Sequence, residues 1–181
     1  MTDIKLICLL IALTVCGAAA AQPIALPDQN GELISLADYQ AQHPDQAVLA
    51  IVVSGRKLRL VKGWEEGLRE SYPQLVSMRV ADIKDEPRPS QDQVAEKLRK
   101  RAPENVSILI DLENRWATDY GLDTEEPCLL LFDSQGKLVA QFRGRASKPR
   151  LAEVSAALAT WLSATAEDSA DAQSAPKETS T

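Results

Sequence analysis

The sequence predicts a three-layer α/β sandwich: a mixed central sheet with helices on both faces and an N-terminal hairpin. Three observations carry this. "AVLAIVV", Ala47 to Val53, is a continuous apolar run rich in valine and isoleucine, as a strand covered on both faces requires. Strand-like runs then alternate with helical ones through the middle of the chain. Last, "PCLLLF" and "KLVAQFRG" flank Asp133-Ser134-Gln135-Gly136, which marks an antiparallel hairpin, and a helix follows it.

The remaining elements follow in order. "PIALPDQNGELISLADYQ" holds short alternating segments around Asn30-Gly31, a hairpin signal. After Ser54-Gly55, residues Leu60, Val61, Trp64 and Leu68 fall at helical spacing, and Pro73 stops that helix. "QLVSMRVADI" reads as a second strand. "SQDQVAEKLRKRA" reads as a helix that Ser90 or Asp92 can cap. "NVSILID" is a third strand, and "NRWATDYG" is a helical turn ended by Gly121. Ser147 is placed to cap the last helix, whose Leu151, Val154, Leu158, Trp161 and Leu162 make one apolar stripe. Trp64, Trp116 and Trp161 all stand at apolar helical positions and are expected in the core.

The two ends read differently from this core. "MTDIKLICLLIALTVCGAAAAQP" has an apolar run from Ile4 to Val15 and small residues before Gln22, the pattern of a secretory signal cleaved after Ala21. The run is too short for a convincing membrane span. Cys16 offers the alternative of a lipoprotein anchor, but Val15 stands where such signals usually carry a small residue. From about Thr165, "TAEDSADAQSAPKETST" has no large apolar residue and is expected to be a disordered acidic tail. The organisation expected is therefore a signal at 1–21, one domain at 22–164 and a tail at 165–181, in the periplasm or secreted.

Charge and cysteines narrow the function. The chain of 181 residues carries a net charge of −6, and losing Asp3 and Lys5 with the signal leaves −6 + 1 − 1 = −6. That counts against general nucleic-acid binding. Of three cysteines, Cys8 and Cys16 leave with the signal, so Cys128 is alone and no internal disulfide can form. His43 is the only histidine and lies in a polar loop, so no metal site and no cofactor is expected. Asn105-Val106-Ser107 matches a glycosylation sequon, relevant only in a eukaryotic source. No Gly-rich phosphate loop and no serine, histidine and carboxylate arrangement is present.

Two stretches carry a family resemblance. "LPDQNGELISLADYQ" and "ILIDLENRWATDYGLDTEEPCLLLFDSQGKLVAQFRG" resemble the thioredoxin superfamily, in particular its redoxin branch of peroxiredoxin-like and periplasmic thiol-disulfide proteins. The likeness runs from about residue 23 to 162. It implies a thioredoxin-like fold and puts Pro127 where the family has its cis-proline. By resemblance, Glu126 and Pro127 form a shelf that presents backbone to an extended protein or peptide partner.

The resemblance fails at the other half of the site. The family's thiols follow the first buried strand at the start of the next helix, where a helix N-terminus can stabilise a thiolate. Here that stretch is "VVSGRKLRLVKGW", without cysteine. Two-cysteine redox cycling is excluded by counting. Cys128, inside "PCLLLF", is expected to be buried and inert; the alternative is a partly exposed thiol that acts alone through mixed disulfides. Arg56, Lys57, Arg59 and Lys62 stand in place of the thiols. They oppose the macrodipole of the helix, yet they could also hold an anion or a partner's carboxylates, if they are more than a solvated face. The expectation is an exported, non-catalytic binding or assistance module.

The signal reading has a direct check. Intact-mass measurement of the exported protein should give a chain beginning near Gln22. A diacylglycerol mass on Cys16 would replace that reading with a membrane anchor.

Overall fold

The computed structural model describes residues 24–84, 87–102 and 106–173, with side chains as far as Leu162. The signal segment, Asn105 of the sequon and residues 174–181 lie outside the described residues.

An N-terminal hairpin pairs β1 (Ala25–Pro27) with β2 (Leu33–Ser35), Ala25 opposite Ser35. Asp28 builds its turn by accepting from Asn30 N at 2.7 Å and Glu32 N at 3.0 Å, while Gly31 takes φ 87°. Helix α1 (Leu36–Gln42) follows directly, with Ser35 and Asp38 forming a capping box, and His43 ends it. Strand β3 (Val48–Ser54) is buried at every residue, as its composition demands. A 3-10 segment (Gly55–Leu60) leads into α2 (Val61–Arg69), which buries Val61, Trp64 and Leu68. Then come β4 (Val76–Asp82), α3 (Gln91–Arg99) with Ser90 in a capping box, and β5 (Ile108–Asp111). The short α4 (Arg115–Asp119), the hairpin of β6 (Cys128–Phe132) and β7 (Leu138–Arg143), and α5 (Lys148–Gln173) complete the chain.

The five-stranded sheet has the order β5-β4-β3-β6-β7. β3 runs parallel to β4 and antiparallel to β6, so the sheet is mixed. The two-residue period of β3 sorts the core. Val48, Ala50 and Val52 point to the layer holding the hairpin, Trp116 and Leu122. Leu49, Ile51 and Val53 point to α2 and α5 through Trp64, Leu68, Val154 and Leu158. Trp64 and Trp116 are fully buried; Trp161 is half-buried against the second layer. The expected three-layer sandwich is therefore the observed one.

Two boundaries differ from the sequence reading. The helix expected after Gly55 opens as a 3-10 segment, with no side-chain cap at Ser54 or Leu60. Arg56, Lys57 and Arg59 at that opening oppose an α-helical dipole, which disfavours regular helix there. At the other end, α5 continues to Gln173, across the boundary at 164 and into the segment expected to be disordered. Alanine-rich sequence propagates readily from a helix already fixed by packing, which an apolar-pattern reading does not register.

The edge strand β5 is covered by the hairpin. Asp28 bridges Leu109. Gln29 then acts as a short strand: its Nε2 donates to Val106 O at 2.6 Å and its Oε1 accepts from Ile108 N at 2.8 Å. Gln29→Ala leaves a buried main-chain donor unmade, so it should lower stability by about 1–3 kcal/mol. Urea unfolding measures this; an unchanged midpoint would show that water serves the β5 edge equally well.

Candidate functional site

The C-terminal ends of β3, β4 and β5 meet the loop that enters β6. Asp82 ends β4 and Asp111 ends β5, directly opposite each other in register, and both are fully buried. Asp111 is absorbed by α4: it accepts from Glu113 N, Arg115 N and Trp116 N at 3.2, 3.0 and 2.9 Å. Asp82 faces side chains. The Thr124 hydroxyl donates to its Oδ2, and Lys84 Nζ stands 3.4 Å from that oxygen. Asn114, with its amide nitrogen turned toward the carboxylate, donates to both oxygens at 3.0 and 3.1 Å. Asn114 adopts φ 57°, which asparagine tolerates better than most residues.

These contacts fix the loop before β6. Leu122 N donates to Ala117 O, Glu125 N to Asp123 Oδ1 at 3.1 Å, and Arg143 pairs with Asp123. The amide hydrogen bond from Glu125 holds the Asp123 carboxyl below its usual range, with the nearby Arg143 acting in the same direction.

Every carbonyl from Asp123 to Pro127 faces an internal donor. Thr124 O accepts from Ser54 N and Pro127 O from Gly144 N, both at 2.9 Å. Glu125 O accepts from Lys57 Nζ at 2.7 Å. Asp123 O and Glu126 O lie 3.4 and 3.5 Å from the Cys128 thiol, whose one hydrogen serves one of them at a time. Of the two shelf residues expected from the sequence, Pro127 is buried and Glu126 is half-buried beside Gly144.

Of the four cations, Lys57 and Lys62 turn to different partners. Lys57 crosses to the loop, where Nζ also meets Glu125 Oε2 at 2.8 Å. Lys62 pairs with Glu66 one turn along α2 at 3.4 Å. Arg56 and Arg59 are exposed on the 3-10 segment. The Lys57 hydrogen bond pulls the Glu125 carboxyl below its ordinary value.

Cys128 opens β6 opposite Val52, inside the apolar layer under the sheet. Burial pushes its thiol above the ordinary cysteine value, the direction that suppresses thiolate. Among the described residues, no group of three or more histidine, cysteine, aspartate or glutamate side chains could hold a metal ion. Nor, among them, is any helix long and apolar enough to cross a membrane.

Similar proteins agree with this geometry in fold. The pneumococcal exposed lipoprotein thioredoxin (Etrx1) of Streptococcus pneumoniae superposes with a TM-score of 0.56 at 18% identity, over 73% of this chain and 96% of that one. This chain has the thioredoxin-like fold. Thiol peroxidase from Chromobacterium violaceum gives 0.54 at 15% identity, over 77% and 84% of the two chains. Yeast Sco1 gives 0.53 at 14% identity, over 77% and 94%. No family model and no curated protein matches the sequence. Where the thioredoxin-like resemblance leads one to expect cysteines, this chain has Ser54 to Leu60.

The sequence reading missed Asp82 and Thr124. The only trace was an aspartate closing each of two strand-like runs, "VSMRVAD" and "ILID". The state of Cys128 predicts its reactivity. A raised folded-state value means that the stability held by the protonated thiol is complete below the unfolded-state value of about 8.5 and is lost as pH rises beyond it. The chain beginning near Gln22, native at pH 7, should therefore resist a chromogenic disulfide reagent and release one equivalent only in denaturant. Fast reaction of the native protein would show an accessible thiol.

Proposed function

We propose that this chain is an exported thioredoxin-fold protein that has lost redox catalysis and acts as a non-catalytic binding or assistance module. The docking edge is the loop around Glu126 and Pro127, together with the cationic segment holding Arg56, Lys57, Arg59 and Lys62. One observation carries this reading. At the position of the expected thiols stands Lys57, which spans to Glu125, while the one cysteine outside residues 1–21 is buried. Disulfide reduction by a thioredoxin-type site needs an attacking thiolate and a second thiol to resolve the mixed disulfide. Neither is available at this edge.

Export is read from the N-terminal segment, and it fits a structural relative that is itself an exposed lipoprotein. The ligand is a protein or peptide segment. The cations supply sites for its carboxylates or for another anion. A second reading uses Cys128 alone as a one-cysteine redox group. Its support is position: Cys128 adjoins Pro127 at the same edge. Burial weighs against it.

The two readings part in one pair of assays. The binding-module reading expects no insulin reduction with dithiothreitol above a protein-free control. It also expects Cys128→Ser to recover the same partners as wild type in a native pull-down from the exported fraction. Turnover in the first assay, or loss of partners from a folded Cys128→Ser protein in the second, would favour the redox reading.

A further inference from the structure

Five consecutive carbonyls of the loop face internal donors, and those donors differ in how easily they let go. Ser54 N and Gly144 N are main-chain groups at strand ends, and the Cys128 thiol is buried. Lys57 is different. Its side chain is 35% exposed, sits on a flexible stem, and also grips the Glu125 carboxylate, which is 59% exposed. Releasing Lys57 frees the Glu125 carbonyl without disturbing the sheet or the core.

We propose that the Lys57–Glu125 pair is a clasp across this edge, and that an acidic peptide segment of a partner protein opens it by taking Lys57 onto its own carboxylate. This rests on the binding-module reading above. Charge selects the occupant. The chain as a whole carries −6, yet this edge is rich in cations. Lys84 acts on both Asp123 and Glu125, and Arg143 pairs with Asp123, so the loop's own carboxylates are met from the protein side. Exposed Arg59 extends the cationic surface along the 3-10 segment. Exposed Arg145 follows Gly144, whose N–H donates to Pro127 O, so it stands at the other end of the loop. A basic segment would meet Asp123 and Glu125 already paired with Arg143 and Lys57, and would be repelled by Arg59 and Arg145. An acidic one replaces one carboxylate partner of Lys57 with another and gains the exposed arginines.

An exposed ion pair joined to one main-chain hydrogen bond favours the closed form by only about three- to tenfold. The clasp is thus weak enough to open and strong enough to measure. The experiment titrates the isotope-labelled full chain with octaglutamate, and separately with octalysine, following main-chain amides by NMR. Octaglutamate should move the Thr124 to Glu126 amides of the wild type. Glu125→Gln removes the ion pair and keeps the main-chain bond, so it should bind about two- to fivefold tighter, and Lys57→Gln should lose it. Glu126→Gln removes the same charge one residue away without touching Lys57, so its affinity should change by under about twofold.

An equal gain in Glu126→Gln would overturn the clasp, since general repulsion would then explain both variants. Octalysine binding in place of octaglutamate would overturn the acidic occupant, as would no octaglutamate binding to wild type or Glu125→Gln. Equal binding by wild type and Glu125→Gln, lost in Lys57→Gln, would end the clasp and leave the binding module standing.

Discussion

A carboxylate with no access to water has to be paired, and the fully buried Asp82 at the end of β4 is in that position. Leaving such a group alone costs several kcal/mol. Its partners come from three parts of the chain: Thr124 from the loop before β6, Asn114 from the entry of α4, and Lys84 from the turn after β4. Satisfying one carboxylate therefore fixes two loops against the sheet. The left-handed backbone of Asn114 belongs to the same arrangement, because it sets the amide toward Asp82 while the next residues start α4 on Asp111. The loops at the C-terminal ends of β4 and β5 are thus tied to the sheet through one buried carboxylate.

The stretch where the resemblance leads one to expect thiols adjoins these loops. A thiol site needs a helix start that favours negative charge. Here Arg56, Lys57 and Arg59 occupy the opening turn, which becomes 3-10 rather than α-helical. Gly55 at its head is close-packed: a Cβ there would lie 2.6 Å from Ile83 Cδ1. The segment is built to carry cations past a tight approach to β4. One of them then supplies a hydrogen bond that the loop would otherwise lack.

The frame of the fold was legible because its signals are local or periodic. The unbroken apolar run of β3, the Asn30-Gly31 turn, the Ser90 capping box and the Asp133–Gly136 hairpin each state their structure within about ten residues. The site was legible only in its absences. Thr124 and Asp82 are 42 residues apart, and Lys57 and Glu125 are 68 apart. No spacing rule links side chains that meet because two loops share one sheet edge. The same limit explains why four cations adjacent in sequence read as one cluster. The helical turn sends Lys62 toward Glu66 and Lys57 toward the loop.

Cys128, the one cysteine among the described residues, closes the loop from the other side. A thiol poised for exchange is exposed, near positive charge and free of competing hydrogen-bond duties. Cys128 is enclosed by the apolar layer of Val52, Leu130 and Trp116, and its hydrogen is shared between the carbonyls of Asp123 and Glu126. In that setting the sulfur works as a weak internal donor that helps close the loop. The loop's five carbonyls are thereby divided between main chain, thiol and one lysine, and only the lysine faces solvent. On the binding-module reading, charge at Lys57 is the opening step, because the other donors to these carbonyls are main-chain groups and a buried thiol.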